Sequence, residues 1–143
     1  MTGLHHVELW VPELAAVEAE WAWLFERVGF ADGRAWPGGR TWTAGGVEIV
    51  LTESPTMHDA GHDRRRSGVN HLAFRAGTAA TVDATMAGAA SAGWRPLYQD
   101  RYPFAGGPQH YAGWLENASG FKVELVADDQ VRNSGRPAAT HCS

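Results

Sequence analysis

The sequence predicts an α+β domain: two βαβββ modules forming mostly antiparallel sheets around a cleft, with the helices on the outer face. Three observations predict it. The chain repeats itself, His6 falling on His71 after 65 residues. Each repeat opens with an alternating strand pattern that leads into a helical one. No second helix follows in either half, only short strand signals separated by turns rich in Gly and Pro.

The elements follow in order. Residues 4–11 alternate and are rich in β-branched and aromatic side chains, and Pro12 ends the strand. Over residues 14–28 the apolar side chains Leu14, Val17, Trp21, Leu24, Phe25 and Val28 recur at three- and four-residue spacing, and Gly29 suits the position just past a helix end. Strand signals return around 40–43 and at 47–52, bounded by Pro37-Gly38-Gly39 and Gly45-Gly46. Residues 1–52 make the first module. Residues 53–68 are a polar linker carrying Pro55, Gly61 and Arg64-Arg65-Arg66, three arginines read as solvated. Residues 69–126 make the second module: a strand at 69–75, an Ala-rich helix over 79–92 closed by Gly93, and strands around 95–98, 110–116 and 121–126. Residues 127–143 show little periodicity and are read as a flexible tail.

Composition excludes several classes of function. The 143 residues are 44% hydrophobic and 20% charged, ordinary for one globular domain that builds its own core. No apolar run approaches the roughly 18–20 residues of a membrane span, and the first residues carry no secretory leader. A net charge of −4 offers nucleic acid no attractive field. The lone Cys142 excludes an internal disulfide and a zinc site built on cysteines, and fits a reducing cytoplasm. Seven His and seven Trp are high counts for this length, and they direct attention to a site.

Successive strand side chains point to opposite faces. In the first strand Val7, Leu9 and Val11 face the helix, while His6, Glu8 and Trp10 face away. In the repeat strand His71, Ala73 and Arg75 face away from the helix. In the last strand Lys122, Glu124 and Val126 share one face. Three strands therefore send His6, His71 and Glu124 to the side away from the helices. Two imidazoles and a carboxylate, with no sulfur, suit a divalent metal with open positions: Fe(II), Mn(II), Zn(II), Ni(II) or Co(II).

At these residues the sequence resembles the vicinal oxygen chelate superfamily, which includes glyoxalase I, bleomycin-resistance proteins, type I extradiol dioxygenases and fosfomycin-resistance enzymes. The resemblance covers residues 4–126. It rests on His6-Val7-Glu8-Leu9-Trp10-Val11, on Val69-Asn70-His71-Leu72-Ala73-Phe74 and on the stretch from Asn117 through Gly120 to Glu124-Leu125. It implies a metal held by His6, His71 and Glu124. Glyoxalase I has a fourth ligand, a Glu, where this chain has Val50; Glu48 lies two residues earlier on the same face, as a displaced ligand, a proton shuttle or a solvated residue. Fosfomycin-resistance enzymes carry a Thr where this chain has Glu8, which would repel a phosphonate. Extradiol dioxygenases add a His and a Tyr. The candidates here are His110 or His62 and Tyr111 or Tyr98, and Trp114 stands near where the family has its Tyr.

The resemblance implies a homodimer with the metal site in or near the subunit contact. It further implies an enzyme acting on a small oxygen-rich substrate, dioxygenase-like with Fe(II) favoured. Glu8, Glu48 or His110 would move protons, and Tyr111 is the catalytic tyrosine candidate. Trp10, Trp42 and Trp114 are candidate pocket walls or core residues, and Arg75 would pair with an anionic substrate or with Glu8. The alternatives are a glyoxalase-type lyase or isomerase and a metal-free protein that sequesters an antibiotic. His5 is read as structural, and His58 and His62 as exposed in the linker. Trp21 is read as core, and Trp23 as a surface or subunit-contact residue.

Overall fold

Pro12 stops the first strand and lets the chain cross over through a helix, and the same crossover recurs in the second half. In the computed structural model, which describes residues 2–58 and 61–128, the first half runs β1 (His6–Trp10), α1 (Leu14–Arg27), β2 (Ala31–Trp36), β3 (Gly39–Ala44) and β4 (Val47–Thr52). The second runs β5 (Leu72–Arg75), α2 (Ala79–Gly88), a 3-10 turn (Ala90–Ala92), β6 (Trp94–Leu97), β7 (Ala112–Asn117) and β8 (Lys122–Val126). Each half makes one four-stranded sheet, ordered β1-β4-β3-β2 and β5-β8-β7-β6. The crossover helices bring β1 beside β4 and β5 beside β8 in parallel, and the hairpins pair the rest antiparallel, so both sheets are mixed.

The α+β plan of two modules is therefore the observed fold. Strand β2 carried no readable signal because all six of its residues are exposed, leaving no alternation. It holds on as an edge strand, with an irregular register against β3 between Asp32 and Ala35. The second helix ends at Gly88 instead of running to 92, and its last stretch tightens into the 3-10 turn before Gly93 turns the chain at φ 95°. At the C-terminal end Ala127 is fully buried and donates to Tyr111 O, and Asp128 N–H donates to Gly77 O. The rest of the segment read as a tail lies outside the described residues.

What the repeat did not specify is how the modules sit together. Helix α1 buries Leu14, Val17, Trp21, Leu24 and Phe25, and this stripe serves both sheets. Phe25 meets Trp42 of β3 at 4.9 Å and Phe74 of β5 at 6.1 Å. Trp21 meets Trp94 of β6 at 5.0 Å and Phe121 at 5.7 Å. One cluster thus contains Leu9, Trp42, Ile49 and Leu51 together with Phe74, Trp94, Leu115, Val123 and Leu125. Polar links reinforce it. Trp94 Nε1 donates to Glu20 O, and Asn117 Nδ2 donates to Glu20 Oε1, both at 2.9 Å. Burial pushes the Glu20 carboxyl up. The other face of each sheet turns away from α1.

A core shared in this way makes the modules unfold together. Truncating Trp21 to Ala is expected to cost about 3–5 kcal/mol. Urea unfolding followed by far-UV circular dichroism and by tryptophan fluorescence should give coincident transitions in both proteins; two separate transitions would contradict the shared core.

Candidate metal and substrate site

Glu124 is the only ionisable residue in the buried set among the described residues, at 6% exposure. It lies in the middle of β8 on the face away from α1, with Ala73 of β5 on one side and Trp114 of β7 on the other. A carboxylate in such a place needs partners. It has two: His71 Nε2 lies 3.0 Å from Oε2, and His110 Nε2 lies 2.5 Å from Oε1. His71 sits one residue before β5, and His110 two residues before β7.

The orientation of His71 constrains what this pair can hold. Its Nδ1 lies 2.8 Å from Asn70 Oδ1, and Asn70 is itself oriented because its Nδ2 donates to Arg64 O at 3.0 Å. The Asn oxygen only accepts, so His71 Nδ1 carries the hydrogen. A neutral imidazole then presents the Nε2 lone pair to the carboxylate, and two lone pairs at 3.0 Å require a cation between them, either a proton or a metal ion. Metal bonds of roughly 2.0–2.2 Å at a right angle place two ligand atoms about 3 Å apart. The His71–Glu124 pair thus has the donor chemistry and the spacing of two adjacent ligands.

The segment between β6 and β7 covers this face, and two devices hold it. Asp83 of α2 accepts from the hydroxyls of both Tyr102 and Tyr111, the latter at 2.6 Å. Burial and that carboxylate hold the Tyr102 hydroxyl protonated far above its ordinary range. Gly106 lets the backbone close on the site: a Cβ there would stand 2.7 Å from His110 Cδ2 and 2.8 Å from Trp114 Cη2. Gly106→Ala is therefore expected to cost about 1–3 kcal/mol by overpacking and to displace His110. Thermal melts would read the first effect, and a shifted His110 ring resonance in the NMR spectrum the second.

The remaining predicted residues fall in three places. His6, Glu8 and Trp10 lie on the open face of the first sheet with Glu48, directly across from His6 in the register. His6 meets His5, Nδ1 to Nδ1 at 2.9 Å, and Glu48 accepts from Arg34 at 3.1 Å. The two open faces belong to different sheets with α1 packed against both, so His6 does not join His71 and Glu124 within one chain. Among the described residues no three His, Cys, Asp or Glu side chains are gathered around one metal position. Trp42 is 1% exposed and packs under Arg40 and Phe25, on the helix side of β3. It is a core residue and not a wall of the site. Tyr111 spends its hydroxyl on Asp83, so it is turned towards α2 and not towards Glu124. Arg75 pairs with Asp128 at 2.9 Å and not with Glu8, whose carboxylate accepts from Trp10 Nε1. Trp114 is 8% exposed and stands between Tyr98 and His110, ring centroids 5.8 and 6.1 Å away. His62, read as exposed, is half-buried and stacks on Phe121 at 4.6 Å.

Sequence reasoning missed Asn70, Asp83 and the charged rim beside Glu124. Glu116 accepts from Arg64 at 2.8 Å and from Arg95 at 2.9 Å, so the arginine run of the linker is not wholly solvated. Burial pushes the Glu116 carboxyl up, but the two guanidinium groups outweigh it and hold it below the ordinary carboxylate range. A depressed carboxyl stabilises the fold above its unfolded pKa, and this contribution is lost as pH falls through the folded value. Glu116→Gln should lower stability at pH 7 by about 1–2 kcal/mol, and the gap to the parent protein should narrow at pH 3. Urea midpoints at the two pH values check this.

Two sheets of this topology, each led by a strand crossing into a helix, with a buried carboxylate between histidines, define a paired βαβββ protein of the vicinal oxygen chelate type. Residues 5–114 match the model of the Glyoxalase/Bleomycin resistance protein/Dioxygenase superfamily, and the chain belongs to that superfamily. It is 38% identical over 126 residues to the uncharacterized protein YqjT of Bacillus subtilis, covering 87% of this chain and 98% of YqjT. A Bacillus halodurans protein of known crystal structure is also 38% identical and superposes with a TM-score of 0.81, over 87% of this chain and 94% of that one. The fosfomycin resistance protein FosX of Listeria monocytogenes, solved with Mn(II) and a dihydroxypropylphosphonic acid, shares the fold at a TM-score of 0.61 and 16% identity, over 88% and 90% of the two chains. No helix among the described residues is long and apolar enough to cross a membrane.

Proposed function

We propose that this protein is a metal-dependent enzyme acting on a small oxygen-rich substrate, dioxygenase-like in its ligand set, and that its site is completed by a second copy of the chain. The observation that carries the reading is the His71–Glu124 pair, whose Nε2 and Oε2 lie 3.0 Å apart, the spacing of two adjacent ligands. His71 and Glu124 of one copy and His6 of the other would hold a divalent ion, with Fe(II) favoured by two imidazoles and one carboxylate. When bound, the ion supplies Lewis acidity and a template for two substrate oxygens. Asn70 holds the His71 tautomer that leaves Nε2 free to ligate. His110 would orient Glu124 through its second oxygen and move a proton at Nε2. Glu48 is engaged by Arg34, which favours three protein ligands over four. Its place directly across from His6 supports a second reading, a glyoxalase-type lyase with Glu48 as the fourth ligand.

The first sheet offers the surface for the second copy. Its open face carries Trp10 and Trp36, 44% and 40% exposed, in one register row with Thr52 and Gly39. Exposed aromatic residues on a flat sheet face mark a contact surface.

The test is complementation between variants. His6→Ala and Glu124→Gln should each lower metal affinity about tenfold or more in titrations of the dialysed protein. Co-refolding the two variants should restore one intact site per mixed dimer, formed by His6 of one chain and Glu124 of the other. Mixed protein that binds no better than either variant rules out the shared site. Unchanged metal uptake in both variants rules out the metal reading.

A further inference from the structure

Lys122 stands two residues before Glu124 on the same face of β8, so their side chains emerge about 6–7 Å apart. Glu116 lies directly across from Lys122 in the register, yet both its oxygens are taken by Arg64 and Arg95. The ammonium donates instead to the Tyr98 hydroxyl at 3.0 Å and lies 4.9 Å from the centre of that ring. No carboxylate is recorded within ion-pair distance of it among the described residues. Tyr98 is held there at a cost: it is the one non-glycine residue with positive φ, 56°, among the described residues. That turn sets its ring against Trp114 and beneath the Arg101 guanidinium at 5.1 Å. Lys122, Arg101 and Arg64 together hold the Tyr98 hydroxyl below its ordinary range, Lys122 most strongly and against the effect of burial. A half-buried tyrosine in a sparsely populated backbone region thus stands beside a lysine with no carboxylate partner among the described residues.

We infer that Lys122 and the Tyr98 hydroxyl form a recognition site for a substrate carboxylate, one strand step from the position of the metal-chelating oxygens. Two adjacent donors, an ammonium and a phenol, suit the two oxygens of one carboxylate. Trp114 fills the space between this site and His110 and sets the spacing. The substrate class is thus a small acid whose carboxylate lies about 6–7 Å from a pair of vicinal oxygens. The inference rests on the proposed metal reading, and the experiment separates the two.

The probes are catechol, which carries vicinal oxygens alone, and 3,4-dihydroxybenzoate, which adds a carboxylate. Both are titrated calorimetrically into the metal-loaded protein. The parent protein should bind the benzoate about tenfold or more tighter than catechol, and the preference should shrink with added salt. Lys122→Met should abolish the preference and leave catechol affinity unchanged. Tyr98→Phe should reduce the preference in part, and it keeps the inference testable if the lysine variant does not fold. Arg95→Gln, which frees one oxygen of Glu116 for the lysine across from it, should also shrink the preference without removing either donor. Equal binding of the two probes to the parent protein, or a preference untouched by Lys122→Met, overturns the inference and leaves the metal reading standing. A Lys122→Met protein that instead loses its dimer, with Glu8→Gln doing the same, also overturns it by giving Lys122 a protein partner. Binding of neither probe overturns both readings.

Discussion

The arrangement of the molecule depends on one helix having to satisfy two sheets. The α1 stripe is wide enough, with Trp21 and Phe25 at its centre, that a single four-stranded sheet does not use it up. Trp21 spends itself on Trp94 and Phe121, and Phe25 divides between Trp42 and Phe74. Burial of aromatic area on both sides is the largest favourable term available to a chain of this size. It comes with a geometric consequence: the sheets present their helix-facing sides to the same helix and turn their other faces outward. The residues placed on those outer faces cannot then meet within one chain. The separation of His6 from the His71–Glu124 pair within one chain follows from core packing and not from anything at either place.

The chemistry on the second sheet is organised around the cost of a buried carboxylate. Glu124 is acceptable at the centre of β8 only because two imidazoles reach it, and each is held by residues that do no chemistry. Asn70 fixes one ring through the linker backbone. Asp83 and Gly106 fix the other by holding the covering segment down on α2 and Trp114. These supports come from the linker, from a helix and from a loop, so the site samples the whole second module. Loosening any of them leaves a buried charge short of a partner, which costs more than the hydrogen bond lost.

The legibility of the fold and of the site differed for physical reasons. The repeat, the helical stripe of α1 and the alternation of β1 and β8 were readable because each of those elements sends a row of apolar side chains to the shared core. Strand β2 was not, since an edge strand exposed on both faces leaves no periodic trace. Alternation also put Lys122 and Glu124 on one face and His6, Glu8 and Trp10 on another. It said nothing about which sheet would face which, so the convergence of His6 with Glu124 in a single chain was an inference about packing that local pattern does not contain. Trp42 was left open between pocket wall and core for the same reason: parity along β3 was not tied to the helix side until the register was known. Asn70 and Asp83 act through hydrogen bonds between distant segments, and no spacing in the sequence marks them.

Charge on the second open face has its own logic. Glu116 draws two arginines, one from the linker and one from β6, and by holding both it leaves the lysine across from it without an acid among the described residues. Had either arginine been absent, Lys122 and Glu116 would form an ordinary cross-strand pair and the face would be closed to anions. A divalent ion held by one carboxylate and neutral imidazoles would carry a residual positive charge, and Lys122 would add a second. Both charges would lie where water is partly excluded, so neutral ligands would leave the site under strain, whereas an acid bearing an ionised chelating oxygen would balance it at both ends. In the proposed site the arginines of Glu116 would act on substrate choice without touching the substrate, by keeping the lysine available.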